Sequence, residues 1–121
     1  MNSKKLGKVH EQRAKSYLKK LNYQILEENW RCGKLGELDL IAVDKNRFNQ
    51  EYLVFIEVKY RSYNLRSALE AVNIKKQIQI QKLSLLYLKS KNIKLEDTNI
   101  SYDVIAISKD QIEHVKNIFN I

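Results

Sequence analysis

The sequence predicts an α/β domain: a mixed central sheet flanked by helices, in the order α-β-β-β-α-β. Three observations carry this. An amphipathic helical run opens the chain. Three strand-like stretches then follow, separated only by short polar turns. A long helical stretch finally separates the third strand from a fourth, and a crossover of that kind favours a mixed sheet between helices. The 121 residues, with no proline and three glycines, show no repeat, low-complexity tract or linker, so residues 1–121 read as one domain.

From about Ser3 to Leu21, Leu6, His10, Ala14, Tyr17, Leu18 and Leu21 recur at helical spacing, with Glu11 on the rim of that face. "YQILEENWRC" alternates loosely and reads as the first strand, with Trp30 as a core residue and Cys32 as a buried thiol. "GKLG" is a turn built on Gly33 and Gly36. "ELDLIAV" is the second strand, and the polar "DKNRFNQE" is the hairpin turn after it. "YLVFIEVKYR" is the third strand, apolar on both faces until its charged end, as in a strand covered above and below. A helix is expected over roughly Arg66 to Lys91, with Val72, Ile80, Leu83 and Tyr87 on its apolar face, widened by Ile78, Leu85 and Leu88. "SYDVIAIS" is the fourth strand. The tail "QIEHVKNIFNI" fits either a fifth strand or a short helix.

The net charge is +8. Its placement matters more than its size. From Ala71 to Leu95 there are six lysines and no acid, and the first twenty residues hold seven basic residues against Glu11 alone. Such blocks make a field suited to a polyanion, nucleic acid before an anionic membrane surface, with solubility as the alternative. A single cysteine excludes an internal disulfide and a multi-cysteine zinc site. His10 and His114 are far apart in sequence, and His10 reads as structural. No signal peptide and no apolar run of ~18 residues is present, so a cytoplasmic protein is expected.

The chemistry concentrates in two strands. Side chains alternate between faces of a strand. Glu57 and Lys59 therefore share one face of the third strand, and Asp39 falls on one face of the second with Ile41. If the strands pair, two carboxylates and an ammonium meet at one end of an apolar sheet. A cross-strand ion pair is one account. A group of like charges away from water needs a cation, however. Mg2+, or Mn2+, prefers oxygen ligands and is held by one or two carboxylates plus substrate phosphate. Asp39 and Glu57 would be the ligands, with Lys59 beside them for a phosphodiester.

An Asp followed after a gap by Glu-x-Lys resembles the PD-(D/E)xK nuclease superfamily. Here these are Asp39 and "EVK" at Glu57 to Lys59. "GKVHEQRAKSYL", "GELDLIAVD", "VFIEVKYR", "AVNIKKQIQI" and "YDVIAI" together are similar to the YraN-like family of small bacterial proteins. The resemblance implies a restriction-endonuclease-like fold, close to archaeal Holliday-junction resolvases, and metal-dependent cleavage of DNA rather than RNA, with branched DNA as a candidate substrate. It implies catalytic roles for Glu11, Asp39, Glu57 and Lys59, with Glu11 completing the metal site. Lys76 would contact phosphate, as would Arg61 and, in the basic block after Ala71, Lys75 and Lys82, and a homodimer would suit a four-way junction. The alternative is a non-catalytic nucleic-acid-binding protein on the same scaffold. Glu37 belongs to "GELD" without being counted as a ligand. Tyr60 and Tyr63 fit either a groove or plain packing. Two positions depart from the family pattern: Arg66 stands where a glycine is usual, and Ser101 where a basic residue is common.

Overall fold

The computed structural model describes residues 3–61, 66 and 70–119. Helix α1 (Ser3–Lys20) leads to strands β1 (Gln24–Arg31), β2 (Glu37–Arg47) and β3 (Gln50–Tyr60). Helix α2 (Ile74–Ser90), β4 (Ile100–Ile107) and β5 (Ile112–Val115) follow. The sheet order is β1-β2-β3-β4-β5. β3 and β4 are parallel and the other neighbours antiparallel. The mixed α/β architecture agrees with the sequence, and the tail's strand option is the one realised.

Each helix covers one face. Ala14 and Leu18 of α1 pack with Leu40, Ala42, Val54, Ile56, Ile105 and Ile107. Ile80, Leu83, Tyr87 and Leu88 of α2 pack with Ile41, Leu53, Phe55, Tyr102 and Val104. The alternation of Val54 and Ile56 against Leu53 and Phe55 is the two-residue period of a strand buried on both sides. Both helices stop the same way. Asn22 and Asn92 take left-handed backbone, φ 66° and 56°, and the next amide returns to Leu18 O at 3.0 Å or Leu88 O at 2.9 Å. Asparagine tolerates that conformation and so ends the helix.

Three boundaries differ from expectation. The helix expected over roughly Arg66 to Lys91 is interrupted: Arg66 and Glu70 are helical and residues 67–69 lie outside the described residues, but residues 71–73 leave the helix and α2 begins at Ile74, where Asn73 caps it and accepts a hydrogen bond from the Lys76 amide at 3.0 Å. Val72 is buried just before the helix, while Ile78 and Leu85 face outward, 46% and 41% exposed. Leu6 of α1 and Leu21 just after it are likewise exposed, the first marginally. The β2–β3 turn is also far tighter than "DKNRFNQE" suggested: only Phe48 and Asn49 lie outside the strands, both at positive φ. Tyr63 lies outside the described residues.

That tight turn buries charges the sequence reading left in solvent. Arg47 donates to Asp44 at 2.9 Å, to Asp103 at 2.8 Å and to the Tyr23 hydroxyl at 3.0 Å. Asp103 also accepts from Ser101 Oγ at 2.6 Å, the Asn117 amide at 3.0 Å and His114 Nε2 at 2.7 Å. Tyr17 Oη is 3.3 Å from His114 Nδ1, and Nε2, facing the Asp103 carboxylate, is the donor to it. Ser101, one departure from the family pattern, is thus a donor to Asp103, whose charge Arg47 meets.

Gly36 positions the turn into β2. Its φ of 116° suits glycine, and a Cβ there would run into the Gln79 side-chain amide. Gln79 in turn donates to Leu35 O at 2.8 Å and ties α2 to that turn. Gly36→Ala should lower stability by about 1–3 kcal/mol, read as a lower urea midpoint at unchanged slope.

Candidate active site

The β2–β3 ladder gives out at the pair Leu40–Ile56. Beyond it, the Val58 amide donates to Asp39 Oδ2 at 2.8 Å, so a side chain takes the ladder's place. The strands open into a fork, and a cleft of about 420 Å³ fills it. Glu11, Asp39, Glu57, Lys59 and Lys76 all line this cleft.

Glu57 is the buried centre, 5% exposed. Lys59 Nζ lies 3.2 Å and Lys76 Nζ 3.4 Å from its Oε1. Lys76 reaches in from the first turn of α2. Asp39 sits close enough to Glu57 to feel its charge. Burial first, then Glu57, pushes the Asp39 carboxyl up to about 8, against the Val58 hydrogen bond that opposes the rise. Glu11 approaches from α1. Burial raises its pKa, and Glu37, Glu28 and Glu57 add to the rise, while a hydrogen bond from Asn29 counters it.

The sequence-based set thus converges, with distinctions. Asp39, Glu57 and Lys59 share the cleft as expected. Among the described residues no group of three or more His, Cys, Asp or Glu is arranged to hold a metal ion. Glu11 lines the wall without closing such a group. The donor pair itself is all oxygen, and Asp39's raised pKa marks a place where a cation would relieve repulsion. This fits Mg2+ or Mn2+, hard ions that keep waters and take substrate oxygens. Glu37 is engaged with Arg31 at 3.4 Å.

The proposed phosphate contacts separate. Lys76 is in the cleft and on Glu57. Lys75 is exposed in an adjoining depression that also includes Asn73 and Gln79. Lys82 is exposed one heptad further along α2. Arg61 is half-buried and donates to Tyr60 O at 2.8 Å, outside the cleft lining. Trp30 packs edge-on against Tyr87, ring centres 5.3 Å apart, and half-buried Cys32 packs beside the same core. Tyr60 stacks on His10 with ring centres 3.7 Å apart. His10 is buried, and burial followed by nearby Arg13 lowers its pKa. Sequence reasoning missed Gln79 and Asn29. Their only signal was spacing that becomes visible once the Gly36 turn and the β1–β2 register are known.

Among the described residues no helix is long and apolar enough to cross a membrane. The profile described as "Uncharacterised protein family UPF0102" matches residues 10–107. A UPF0102 protein of Alkaliphilus oremlandii is 41% identical over 122 residues, covering 97% of this chain and 99% of that protein. One from Clostridium botulinum is 41% identical over 126 residues, covering 98% and 97%. One from Photobacterium profundum is 38% identical over 120 residues, covering 97% and 91%. Similarity of this extent runs through both strands of the cleft, and the chain belongs to the UPF0102 family, the YraN-like family of its sequence motifs.

Proposed function

We propose that this chain is a metal-dependent nuclease of restriction-endonuclease-like fold that hydrolyses DNA phosphodiester bonds. The observation that carries the reading is Asp39: a half-buried carboxylate set against a second, buried one, Glu57, with two ammoniums in the same cleft. Keeping such a pair costs stability, and a structural ion pair does not require the second acid.

In this reading Asp39 and Glu57 would hold Mg2+ or Mn2+, which supplies Lewis acidity toward the phosphoryl group and a more acidic water. Glu11 would bind at the edge of that site. Lys59 donates hydrogen bonds toward the phosphate, where negative charge grows as the nucleophile adds. Lys76 holds Glu57 from α2 and can reach substrate phosphate from the same place. Lys75 and Lys82 extend the positive track along α2, and Arg61 adds charge beyond Lys59. Two copies would suit the two-fold symmetry of a junction.

A second reading has its own support. Lys59 and Lys76 already neutralise Glu57, as they would in a protein that only binds nucleic acid. Labelled four-way junction, flap, duplex and single-stranded DNA, and RNA, incubated with Mg2+, Mn2+ or chelator, separate the two. Cutting that needs metal and falls at least a hundredfold in Asp39→Ala and Lys59→Ala is expected. Binding in chelator with no cutting by wild type in either metal would reject the nuclease.

A further inference from the structure

The end of β2 away from the cleft carries an aromatic residue in an unfavourable place. Arg47 pairs with Gln50, so Phe48 and Asn49 are the two central residues of the β2–β3 turn, at φ 53° and 61°. A two-residue turn with positive φ at both positions favours asparagine, aspartate or glycine. Asn49 follows that preference and Phe48 does not, since a bulky side chain on left-handed backbone is a steric cost. Burial does not offset it. The ring is 83% exposed, the most of any large apolar side chain among the described residues. A residue that strains the backbone and shields no core points to a role beyond folding.

Phe48 lines a second cavity, of about 510 Å³, within the range of small-molecule sites. Tyr52 lines it too, its ring centre 6.5 Å from that of Phe48 and the planes tilted at 67°. The inner lining is fixed in advance. Asp44, Arg47 and Ser101 are buried there and belong to the network around Asp103. The Arg47 guanidinium also lies 5.5 Å over the Tyr52 ring centre. Asn46, Lys116 and Asn117 are the exposed polar part of the lining. Among the described residues, neither the Asn46 nor the Asn117 side-chain amide has a hydrogen-bond partner, their contacts being made by backbone amides.

We propose that Phe48 and Tyr52 form a stacking site for an unpaired nucleobase, with the Asn46 and Asn117 amides serving its polar edge and Lys116 the adjoining phosphate. An aromatic ring takes any base by its face, and an amide offers both donor and acceptor. An aliphatic side chain of a protein partner would leave those amides and the lysine unused. The site deepens the nucleic-acid part of the reading above and rests on it, but needs neither metal nor cleavage. Asp39 and Arg47 stand at opposite ends of β2. At the rise of a strand they are roughly 25 Å apart, so the base held here is not at the cleavage point.

Binding in chelator, by anisotropy of labelled DNA, tests it on three forms: blunt duplex, the same duplex with a single-stranded tail, and single strand. Phe48→Ala should bind the tailed and single-stranded forms about tenfold more weakly than wild type, and blunt duplex equally well. The loss should be the same at low and high salt, because a ring releases no counterions. Phe48→Trp should keep wild-type affinity, and single strand should quench its emission beyond any change in wild type, whose Trp30 packs against the core. Phe48→Asn should lose the same binding yet unfold at a higher urea midpoint than wild type, since asparagine suits the turn. Unchanged affinity in Phe48→Ala, or an equal loss on blunt duplex, would overturn the proposal. So would a lower midpoint in Phe48→Asn, which would make the ring a folding element. Self-association of wild type that Phe48→Ala abolishes would put a second copy in the cavity instead. If wild type binds no form of DNA, the nucleic-acid reading fails by itself. Titration of Phe48→Trp with adenosine monophosphate then decides the cavity: quenching upholds a base site, and none ends it.

Discussion

Asp39→Asn should melt higher than wild type in chelator at pH 8, by roughly 10 °C, and should lose the stabilisation that Mn2+ gives wild type. The argument is one of linkage. Asp39 is held up to about 8 in the fold, against 3.8 for an ordinary aspartate. Above pH ~4 the unfolded chain releases this proton freely while the folded chain keeps it. Wild-type stability therefore falls as pH rises from about 4 through 8, at a cost of about 2–4 kcal/mol by the upper end. Asparagine retains the acceptor for the Val58 amide and removes the charge. The variant's advantage should vanish near pH 4, where both proteins carry a neutral group. Melts in chelator across that range check it. An Asp39→Asn protein no more stable than wild type at pH 8 would mean that Asp39 is not held under strain, and the case for a cation there would weaken.

Asp103→Ala should cost about 3–5 kcal/mol, because it leaves a buried charge short of its partner. Its side chain is fully buried and accepts from Arg47, His114, Ser101 and the Asn117 amide. Removing it leaves Arg47 in the interior with Asp44 as its one counter-charge among the described residues. Burial pushes the Asp103 carboxyl up, but the hydrogen bonds from His114, Arg47 and Ser101 outweigh it and hold it down to about 2. The sign is opposite to that at Asp39. Its contribution is complete above pH ~4 and is lost as pH falls through about 2, some ~2 kcal/mol in all. Urea unfolding of wild type and Asp103→Ala at pH 7 and pH 2.5 should show a gap that narrows in acid. The two carboxyls together put the stability maximum of the metal-free protein near pH 4–5.

Much of the fold was legible because it rests on periodicity. The face holding Ala14 and Leu18, the doubly buried β3 and the crossover to β4 are all consequences of apolar spacing. The cleft was legible for the same reason. Glu57 and Lys59 sit two apart in a regular strand, and pairing with β2 brings Asp39 alongside. What periodicity hides is local chemistry. Asp44 and Arg47 read as solvated turn residues, because nothing in their neighbourhood shows that Asp103, far along the chain, waits for them. The break before α2 was missed because the turn at 71–73, closed by the Asn73 cap, leaves the helical pattern on either side looking continuous. Strict alternation also failed where it mattered, around Asp39: Leu38 packs under α2 and Leu40 under α1, a slip that leaves no trace in the sequence alone. Lys76 was read as a phosphate contact, and its pairing with Glu57 went unseen because α2 meets β3 only in the fold.

The parallel pairing of β3 with β4 has a consequence for how the chain reaches this state. The two-residue turn at Phe48 and Asn49 lets β2 and β3 zip from neighbouring residues. Leu53 must instead wait for Ile100, with all of α2 between them. Closing so long a loop is paid in entropy before any contact rewards it, which makes the β3–β4 seam the slow event in refolding. Until it closes, Val54 and Ile56 lie along an unpaired edge, and aggregation during synthesis or dilution from denaturant should begin there.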